Sequence, residues 1–396
     1  MRGVAACLLP IALLVAQPAL AERLEDRIPT ATDASQQYAL FQPDDASART
    51  PLLIVLDPRG RGTLGRDLAL DGARARGWTI VSSWQSRSDT LESVTLRALY
   101  ALLKESARLP HDAHRVYLAG MSGTAKTLWV VAPHLRGRIA GLIGSGGGRP
   151  PELPALAGDA PPWFGFAGTT DFNFREMHDL DAALAKVGTP HRLDVFDGPH
   201  GWPDASGFAA AIAWHDRVAM RTKSMPRDDA WIDRQFAACR AEATGTRDPM
   251  DRWRVLDRCA RDFDGLRDVT AVRREADALG RAPDVRRLQK EDARLRSDEA
   301  RQRKRFDAWR ATFSARFVDG REQPPPSDAT TRRDLRIAGL RERAMDADPR
   351  VAASARRQLA WMHAAAASYL PPEFEARGDA ARVAALKSLA EATRPP

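Results

Sequence analysis

The chain has 396 residues, of which 44% are hydrophobic and 28% charged, and its formal net charge is +8 at pH 7. A chain of this length is expected to form about two or three domains. The positive charge does not indicate nucleic acid as a partner, because the arginines are interspersed with acidic residues, as in "RLQKEDARLRSDEARQRKR". Such mixed charge is typical of solvated, ion-paired helix faces.

The N-terminal residues 1–21 have the features of a signal peptide. Arg2 supplies a positive start, residues 4–15 form an apolar run, and Ala-Leu-Ala at 19–21 is a small-residue cleavage site. We therefore expect the mature chain to begin at Glu22 and the protein to be exported, either to the periplasm or out of the cell. No later stretch approaches the roughly 20 apolar residues of a spanning helix, so no membrane span is predicted.

The three cysteines raise two questions, lipidation and disulfide formation. Cys7 faintly imitates a lipidation site, but it lies near the start of the apolar run rather than after it, so a cleaved signal peptide is favoured over a lipid anchor. Cys239 and Cys259 lie on consecutive predicted helices, where pairing depends on a register that the sequence leaves open. No His or Cys nearby completes a set of four zinc ligands, so no metal site is predicted.

Residues 36–221 alternate short apolar runs with amphipathic runs, which predicts a mostly parallel sheet covered by helices. The candidate strands are "QYALF", "PLLIVLD", "WTIVSSW", "RVYLAG", "IAGLIGSG", "PWFGFAG" and "RLDVFD". The candidate helices are residues 64–76, 90–107, 123–132, 175–187 and 205–221. In such a sheet, sites lie at the carboxyl ends of the strands.

After Met225 the strand pattern stops, and an all-helical domain is predicted. The candidate helices are residues 228–243, 249–263, 268–279, 284–317, 329–344, 351–369 and 372–393. The pairing of some of them resembles a helical-hairpin repeat, although no strict period is present. The predicted organisation is a signal peptide at 1–21, an α/β domain at 22–224 and a helical domain at 225–396.

Ser122 is the candidate nucleophile because it stands where the strand "RVYLAG" passes into a helix with almost no connecting residues. A serine on such a strained turn exposes its hydroxyl above the sheet edge. Asp171 and His200 follow the next two strand ends along the chain, in "FAGTTDFNF" and "VFDGPHGWP". A serine needs a base, and the base needs a carboxylate, so the sequence predicts a Ser122–His200–Asp171 triad.

Each of these residues also has a structural interpretation. Ser122 could be a helix N-cap, Asp171 a turn residue and His200 a surface loop histidine. Asp57 and Asp197 also end strands and are rival acids, although Asp197 lies so close to His200 along the chain that a role in the turn is favoured. Three independent positions along one rim favour the triad over these alternatives.

Residues 36–221 resemble the α/β-hydrolase superfamily, and specifically compact secreted esterases of the polyhydroxybutyrate-depolymerase-like and feruloyl-esterase-like kinds. The resemblance rests on "GMSGT", "GTTDFN" and "HGWP" in the order Ser, Asp, His. The chain departs from the family at Thr124, which replaces the second glycine of G-x-S-x-G, and at "LDPRGRG", which replaces the His-Gly of many relatives.

The resemblance implies an oxyanion hole built from two backbone amides. One is the amide of Gly123, directly after the nucleophile. The other comes from the loop after the first central strand, at Arg59 or Gly60, because Pro58 has no N–H to donate.

Aromatic residues near the strand ends are candidates for substrate binding. Trp84, Phe172 and Trp202 could line a pocket for an apolar or aromatic acyl group, although aromatics at such positions also serve as core. The segment "IGSGGGRPP" lacks the lysine and helix start of a phosphate-binding loop, and we interpret it as a linker.

Three hypotheses follow for function. The first is an exported serine hydrolase that cleaves small or polymeric carboxylic esters without a cofactor. The second is a catalytically degenerate hydrolase scaffold whose helical domain binds a protein or envelope partner, or self-associates. A serine peptidase is a nearer alternative to the first, because the same triad serves both reactions.

Overall fold

The computed structural model describes residues 22–315, 317–318 and 321–396. The predicted signal peptide and Cys7 lie outside these residues. The part of the chain that the structure describes contains no helix long and apolar enough to cross a membrane.

An eight-stranded sheet dominates the first half of the chain. Its strands are β1 (Arg23–Thr30), β2 (Asp33–Gln42), β3 (Leu52–Leu56), β4 (Thr79–Ser83), β5 (Val116–Met121), β6 (Gly141–Ser145), β7 (Trp163–Gly168) and β8 (His191–Phe196). They lie in the order β1-β2-β4-β3-β5-β6-β7-β8, and all neighbours from β4 to β8 are parallel. The predicted mostly parallel sheet is confirmed. Every residue of β3 to β7 is buried, as expected for strands covered on both faces.

Helices cover both faces of this sheet. They are α1 (Gly62–Arg76), α2 (Glu92–Ser106), α3 (Gly123–Val131), α4 (Phe174–Val187) and α5 (Ala205–Arg221). The apolar residues of α1 and α5 join one core cluster, and those of α2, α3 and α4 join another. All five were predicted to within about two residues, because each carries an apolar stripe at helical spacing.

The edge strand β1 was missed. It pairs antiparallel with β2, but seven of its eight residues are exposed or only partly buried. A strand that buries so little has no alternating apolar pattern to read, so the sequence offered no signal for it.

The second half of the chain is helical, as predicted. Its helices are α6 (Asp229–Gly245), α7 (Pro249–Phe263), α8 (Thr270–Gly280), α9 (Pro283–Ser314), α10 (Asp328–Asp334), α11 (Ile337–Arg343), α12 (Pro349–Ala364), α13 (Pro371–Glu375) and α14 (Ala380–Thr393). A π-helical turn at Ala365–Tyr369 follows α12. Two short strands, β9 (Phe317–Val318) and β10 (Arg321–Glu322), pair antiparallel and were not predicted.

Two predicted helices are each divided in the structure. The helix predicted at 329–344 breaks at Arg336, whose φ of 52° is left-handed, and the last one breaks at Gly378, whose φ is +67°. Arginine has no general preference for this conformation, so the first break could not be read from the sequence.

Cys239 on α6 and Cys259 on α7 form a disulfide with a Cα–Cα distance of 6.0 Å. Both cysteines belong to the apolar cluster that α6, α7 and α8 share. The helix register that the sequence left open therefore allows the pair to form.

Two buried ionic clusters join the halves. On α7, the Asp262 carboxylate accepts from Arg192 of β8 at 2.8 Å and from Trp214 of α5 at 3.0 Å. Burial raises the pKa of Asp262, but Arg192 and Arg217 outweigh it and hold the pKa below its usual range. The carboxylate therefore stays charged at the junction.

The second cluster is centred on Glu299 of α9. Its carboxylate pairs with Arg175 of α4 at 3.0 Å and with Arg357 of α12 at 2.6 Å. Arg357 also donates to the carbonyl of Thr169, at 2.6 Å. The helical half is thereby bonded to the loop that carries Asp171.

Asp262→Ala is expected to lower the free energy of unfolding by about 3–5 kcal/mol, because it removes the carboxylate that pairs with buried Arg217 and one of the two that pair with Arg192. The control is Asp264→Ala, which removes a carboxylate with 61% of its side chain exposed. That change should cost no more than about 0.5 kcal/mol. Urea unfolding at pH 7 measures both, and equal losses would contradict the assignment of the junction to Asp262.

Candidate active site

The turn between β5 and α3 is tight and strained. Ser122 has φ 57° and ψ −125°, a conformation that L-residues rarely adopt. Its backbone N–H donates to the carbonyl of Ser145 at 2.8 Å. A Cβ atom at Gly120 would lie only 2.7 Å from the Ala125 nitrogen, so the first glycine of the motif is required by close packing. Strain of this kind, about 1–3 kcal/mol, is typical of functional sites.

Thr124 is fully buried, which explains how the motif tolerates a β-branched residue. Its Oγ1 donates to the carbonyl of Leu56, at the end of β3, over 2.6 Å. The same oxygen accepts the N–H of Met121 at 2.9 Å. The side chain therefore ties the turn to the adjacent strand, which a glycine at this position could not do.

Asp171 and His200 form the pair that was predicted from the sequence. The Asp171 carboxylate is fully buried and accepts from His200 Nδ1 at 2.9 Å and from the Asn173 N–H at 2.7 Å. The Phe172 ring lies over the imidazole, with centroids 4.1 Å apart. Because Nδ1 carries the proton that Asp171 accepts, Nε2 is left as an acceptor, and no described residue hydrogen-bonds to it.

A glycine platform after β6 brings this pair next to Ser122. A Cβ at Gly146 would lie 2.6 Å from Asp171 Oδ2 and 2.8 Å from His200 Nδ1, and one at Gly147 would lie 2.2 Å from the Ser122 carbonyl oxygen. Gly146 and Gly147 are consecutive, so their Cα atoms are only about 3.8 Å apart. The serine turn and the imidazole therefore contact adjoining residues of one segment.

The interpretation of "IGSGGGRPP" as a linker was therefore wrong. Gly146 packs against Asp171 and His200, and Gly147 packs against Ser122. Ser145 Oγ donates to the Gly201 carbonyl at 2.6 Å, next to His200. The run of small residues was visible in the sequence, but its neighbours were not.

Ser122, Asp171 and His200 thus follow β5, β7 and β8 at one edge of the sheet, in that chain order. Ser122 stands on a strained strand-to-helix turn, and Asp171 accepts a hydrogen bond from His200. The first half of the chain has an α/β-hydrolase-type fold.

Solved structures match about half of this chain. The chain is similar to an esterase from Pyrobaculum calidifontis, with a TM-score of 0.41 and 15% identity over 50% of this chain and 86% of that chain. It is similar to esterase B from Lactobacillus rhamnosis, at 0.40 and 13% over 52% and 91%. It is also similar to an S-formylglutathione hydrolase from Staphylococcus aureus, at 0.38 and 13% over 49% and 96%. No family model matches the chain, and no curated protein matches its sequence.

The predicted oxyanion hole is only partly available in this structure. The Gly123 N–H, the first amide of α3, has no hydrogen-bond partner among the described residues. In contrast, the Arg59 N–H donates to Asp57 Oδ1 at 2.9 Å, and the Gly60 N–H donates to the Asp57 carbonyl at 3.0 Å. The structure therefore does not support Arg59 or Gly60 as the second donor.

Asp57 has a different role from that of a rival acid. Its buried carboxylate accepts from Arg61 Nη2 at 2.9 Å and from Trp202 Nε1 at 3.0 Å. Burial raises the pKa of Asp57, but these hydrogen bonds outweigh it and lower the pKa below its usual range. Asp57 thereby links the loop after β3 to the loop of His200. The other rival, Asp197, accepts from Thr169 Oγ1 at 2.9 Å, consistent with a role in the turn.

Of the three aromatic candidates for substrate binding, Phe172 lines both cavities described below. Trp202 donates a hydrogen bond to Asp57 and packs against Phe208, with ring centroids 5.2 Å apart. Trp84 donates to the Asp26 carbonyl at 2.6 Å and lies under the Arg27 guanidinium. The assignment of Trp202 and Trp84 to a substrate pocket is not supported, because both are structural contacts.

The helical half contributes to the surroundings of the site. A cavity of about 400 Å³ lies between Thr170, Phe172 and His200 on the sheet side and Arg356, Ala360 and His363 of α12. A second, of about 920 Å³, adjoins it at Phe172 and extends between α4 and α9.

Burial raises the pKa of Tyr369, and the charges of Asp89 and Asp171 add to this effect. Within the described residues, no group of three or more His, Cys, Asp or Glu side chains could hold a metal ion.

Gly146→Ala is expected to lower kcat by about 100-fold, because the new methyl group displaces Asp171 and His200. The control is Gly137→Ala, whose φ of +73° is similar to the +55° of Gly146 but whose Cβ would meet nothing within 4 Å. Both changes carry the left-handed penalty of about 1–2 kcal/mol. Ester hydrolysis and thermal unfolding separate the two effects. Equal activity in the two variants would contradict the conclusion that Gly146 must lack a side chain to pack against Asp171 and His200.

Proposed function

We propose that this protein is an exported serine hydrolase that cleaves carboxylic esters through Ser122, His200 and Asp171. The observation that carries the proposal is the hydrogen bond that buried Asp171 accepts from His200 Nδ1, beside the strained turn of Ser122. Export is supported by residues 1–21 and by the Cys239–Cys259 disulfide, since disulfides persist in oxidising compartments.

In this mechanism His200 Nε2 accepts the proton of Ser122 Oγ as the oxygen attacks the ester carbonyl. Asp171 holds the imidazole in the required tautomer and stabilises the imidazolium. The proton then passes to the leaving alkoxide, which departs as an alcohol and leaves an acyl-Ser122. Water attacks this ester with His200 again as base, and the acid product is released. The steps require no cofactor.

The degenerate-scaffold alternative has one observation in its favour, the engagement of the Arg59 and Gly60 amides within their own loop. A hydrolase lacking one oxyanion donor loses about 3 kcal/mol of transition-state stabilisation. It would therefore catalyse the same reaction more slowly. In that alternative the helical half binds a protein or envelope partner, or a second copy.

Ser122→Ala is expected to abolish hydrolysis of p-nitrophenyl acetate and to leave the fold intact. Ser122→Gly should be equally inactive but more stable than Ser122→Ala by about 1 kcal/mol, because glycine relieves the strain at φ 57°. Steady-state kinetics and thermal unfolding measure the two quantities. Retained activity in either variant would mean that the nucleophile lies elsewhere.

A fluorophosphonate probe should label wild-type protein at Ser122, located by peptide mass spectrometry, and should not label Ser122→Ala. Activated esters react faster than anilides in any serine hydrolase, so the acceleration over the uncatalysed rate is compared for p-nitrophenyl acetate and for a matched acyl p-nitroanilide. The proposal expects the larger acceleration for the ester. A larger acceleration for the anilide would favour the peptidase, whereas folded protein that resists labelling would favour the inert scaffold.

A further inference from the structure

The second donor of the oxyanion hole in the proposed hydrolase is still to be identified, because the amides of Arg59 and Gly60 are engaged elsewhere. Acyl transfer places negative charge on the carbonyl oxygen, and preorganised donors 2.7–3.1 Å from that oxygen supply much of the catalysis. Gly123 provides one free amide, whereas Arg59 and Gly60 do not provide another. A donor must therefore come from a different segment next to Gly123.

Ser88, in the loop between β4 and α2, lies at this position. Its backbone N–H donates to the Pro58 carbonyl at 2.9 Å, so it adjoins the loop after β3. Its Oγ accepts the Thr124 N–H at 3.2 Å, and a Cβ at Gly123 would lie 2.7 Å from the same oxygen. The absence of a side chain at Gly123 is what leaves room for this hydroxyl.

The direction of the α3 amides places Ser88 beside a bound oxyanion. The first N–H groups of a helix all point outward along its axis at the N-terminus. An acyl oxygen held by the Gly123 N–H therefore lies next to the group that the Thr124 N–H holds, which is Ser88 Oγ. The positive end of the helix dipole adds to the stabilisation of negative charge at this point.

The hydroxyl of Ser88 is also free to donate. A serine hydroxyl has one proton and two acceptor lone pairs, and the Thr124 N–H uses only a lone pair. Among the described residues, no group accepts the Ser88 proton. This proton is therefore available to an incoming oxygen without breaking an existing bond.

The loop that carries Ser88 is held on both sides. Ser86 Oγ donates to the Asp57 carbonyl at 2.7 Å, and the Arg87 N–H donates to Thr95 Oγ1 at 3.0 Å. Thr95 Oγ1 in turn donates to the Arg87 carbonyl at 2.7 Å. A donor fixed in this way needs little reorganisation during the reaction, which is the condition for effective charge stabilisation.

We propose that the Ser88 hydroxyl is the second oxyanion donor, acting with the Gly123 N–H. The inference rests on the proposed function and replaces the amides of Arg59 and Gly60 in that role. Ser88 donates a hydrogen bond and transfers no proton, so its contribution grows with the charge on the carbonyl oxygen and is small for the bound ester.

Ser88→Ala should lower kcat for p-nitrophenyl acetate by about 100- to 1,000-fold with little change in KM. Ser88→Thr, which retains a hydroxyl, should be more active than Ser88→Ala. The control is Thr90→Ala, which removes an exposed hydroxyl from the same loop. That variant should keep the wild-type kcat.

An aryl trifluoromethyl ketone, which forms a tetrahedral adduct on the serine, provides the second measurement. Its inhibition constant should rise in Ser88→Ala by a factor similar to the loss in kcat/KM. If Ser88 only caps α3, Ser88→Ala will unfold more easily while kcat and the inhibition constant of the folded fraction stay at wild-type values, which would overturn the proposal. Equal losses in Ser88→Ala and Ser88→Thr would overturn it as well.

The proposed function and the role of Ser88 can be tested separately. Wild-type protein that neither hydrolyses esters nor reacts with fluorophosphonate would overturn both proposals. Active, labelled wild type together with fully active Ser88→Ala would overturn only the role of Ser88.

Discussion

The close turn from β5 into α3 is the constraint on which the rest of the site depends. It holds Ser122 at φ 57°, and it is possible only because Gly120 has no side chain to meet Ala125. Its neighbours are fitted to it: Thr124 ties it to β3, Ser88 contacts the first amides of α3, and Gly147 packs against the Ser122 carbonyl. These contacts offset the strain of the turn, and the turn places Ser122 at the edge of the sheet.

The loops around this turn are bonded to one another rather than only to their own strands. Asp57 joins the loop after β3 to Trp202, near His200, and Ser145 joins the end of β6 to Gly201. Arg357 of α12 donates to the Thr169 carbonyl, in the loop of Asp171. The position of His200 relative to Ser122 is therefore set by contacts from three other segments, including one from the helical half.

The helical half is more than an appended array, since its charged residues are part of the junction with the sheet. Asp262 and Glu299 are buried carboxylates that arginines from the sheet half neutralise. Such clusters are weak evidence of stability compared with an apolar interface, but they fix the geometry of what they join. The Glu299 cluster, through Arg357, holds α12 beside the loop of Phe172, where the smaller cavity lies.

The sequence by itself determined the parallel sheet, its flanking helices and the position of Ser122, because these depend on local apolar periodicity and on a strand-to-helix turn that can be read within a few residues. It also predicted Asp171 and His200, since the ends of parallel strands share one edge. The sequence could not show the edge strand β1, which buries too little to be patterned, or that Trp202 and Trp84 are structural. Nor could it show that Gly146 and Gly147 pack against His200 and the Ser122 turn, or that the amides of Arg59 and Gly60 are already hydrogen-bonded. The tertiary structure decided these points and the contact of Ser88 with α3, because each depends on a neighbour that is remote along the chain.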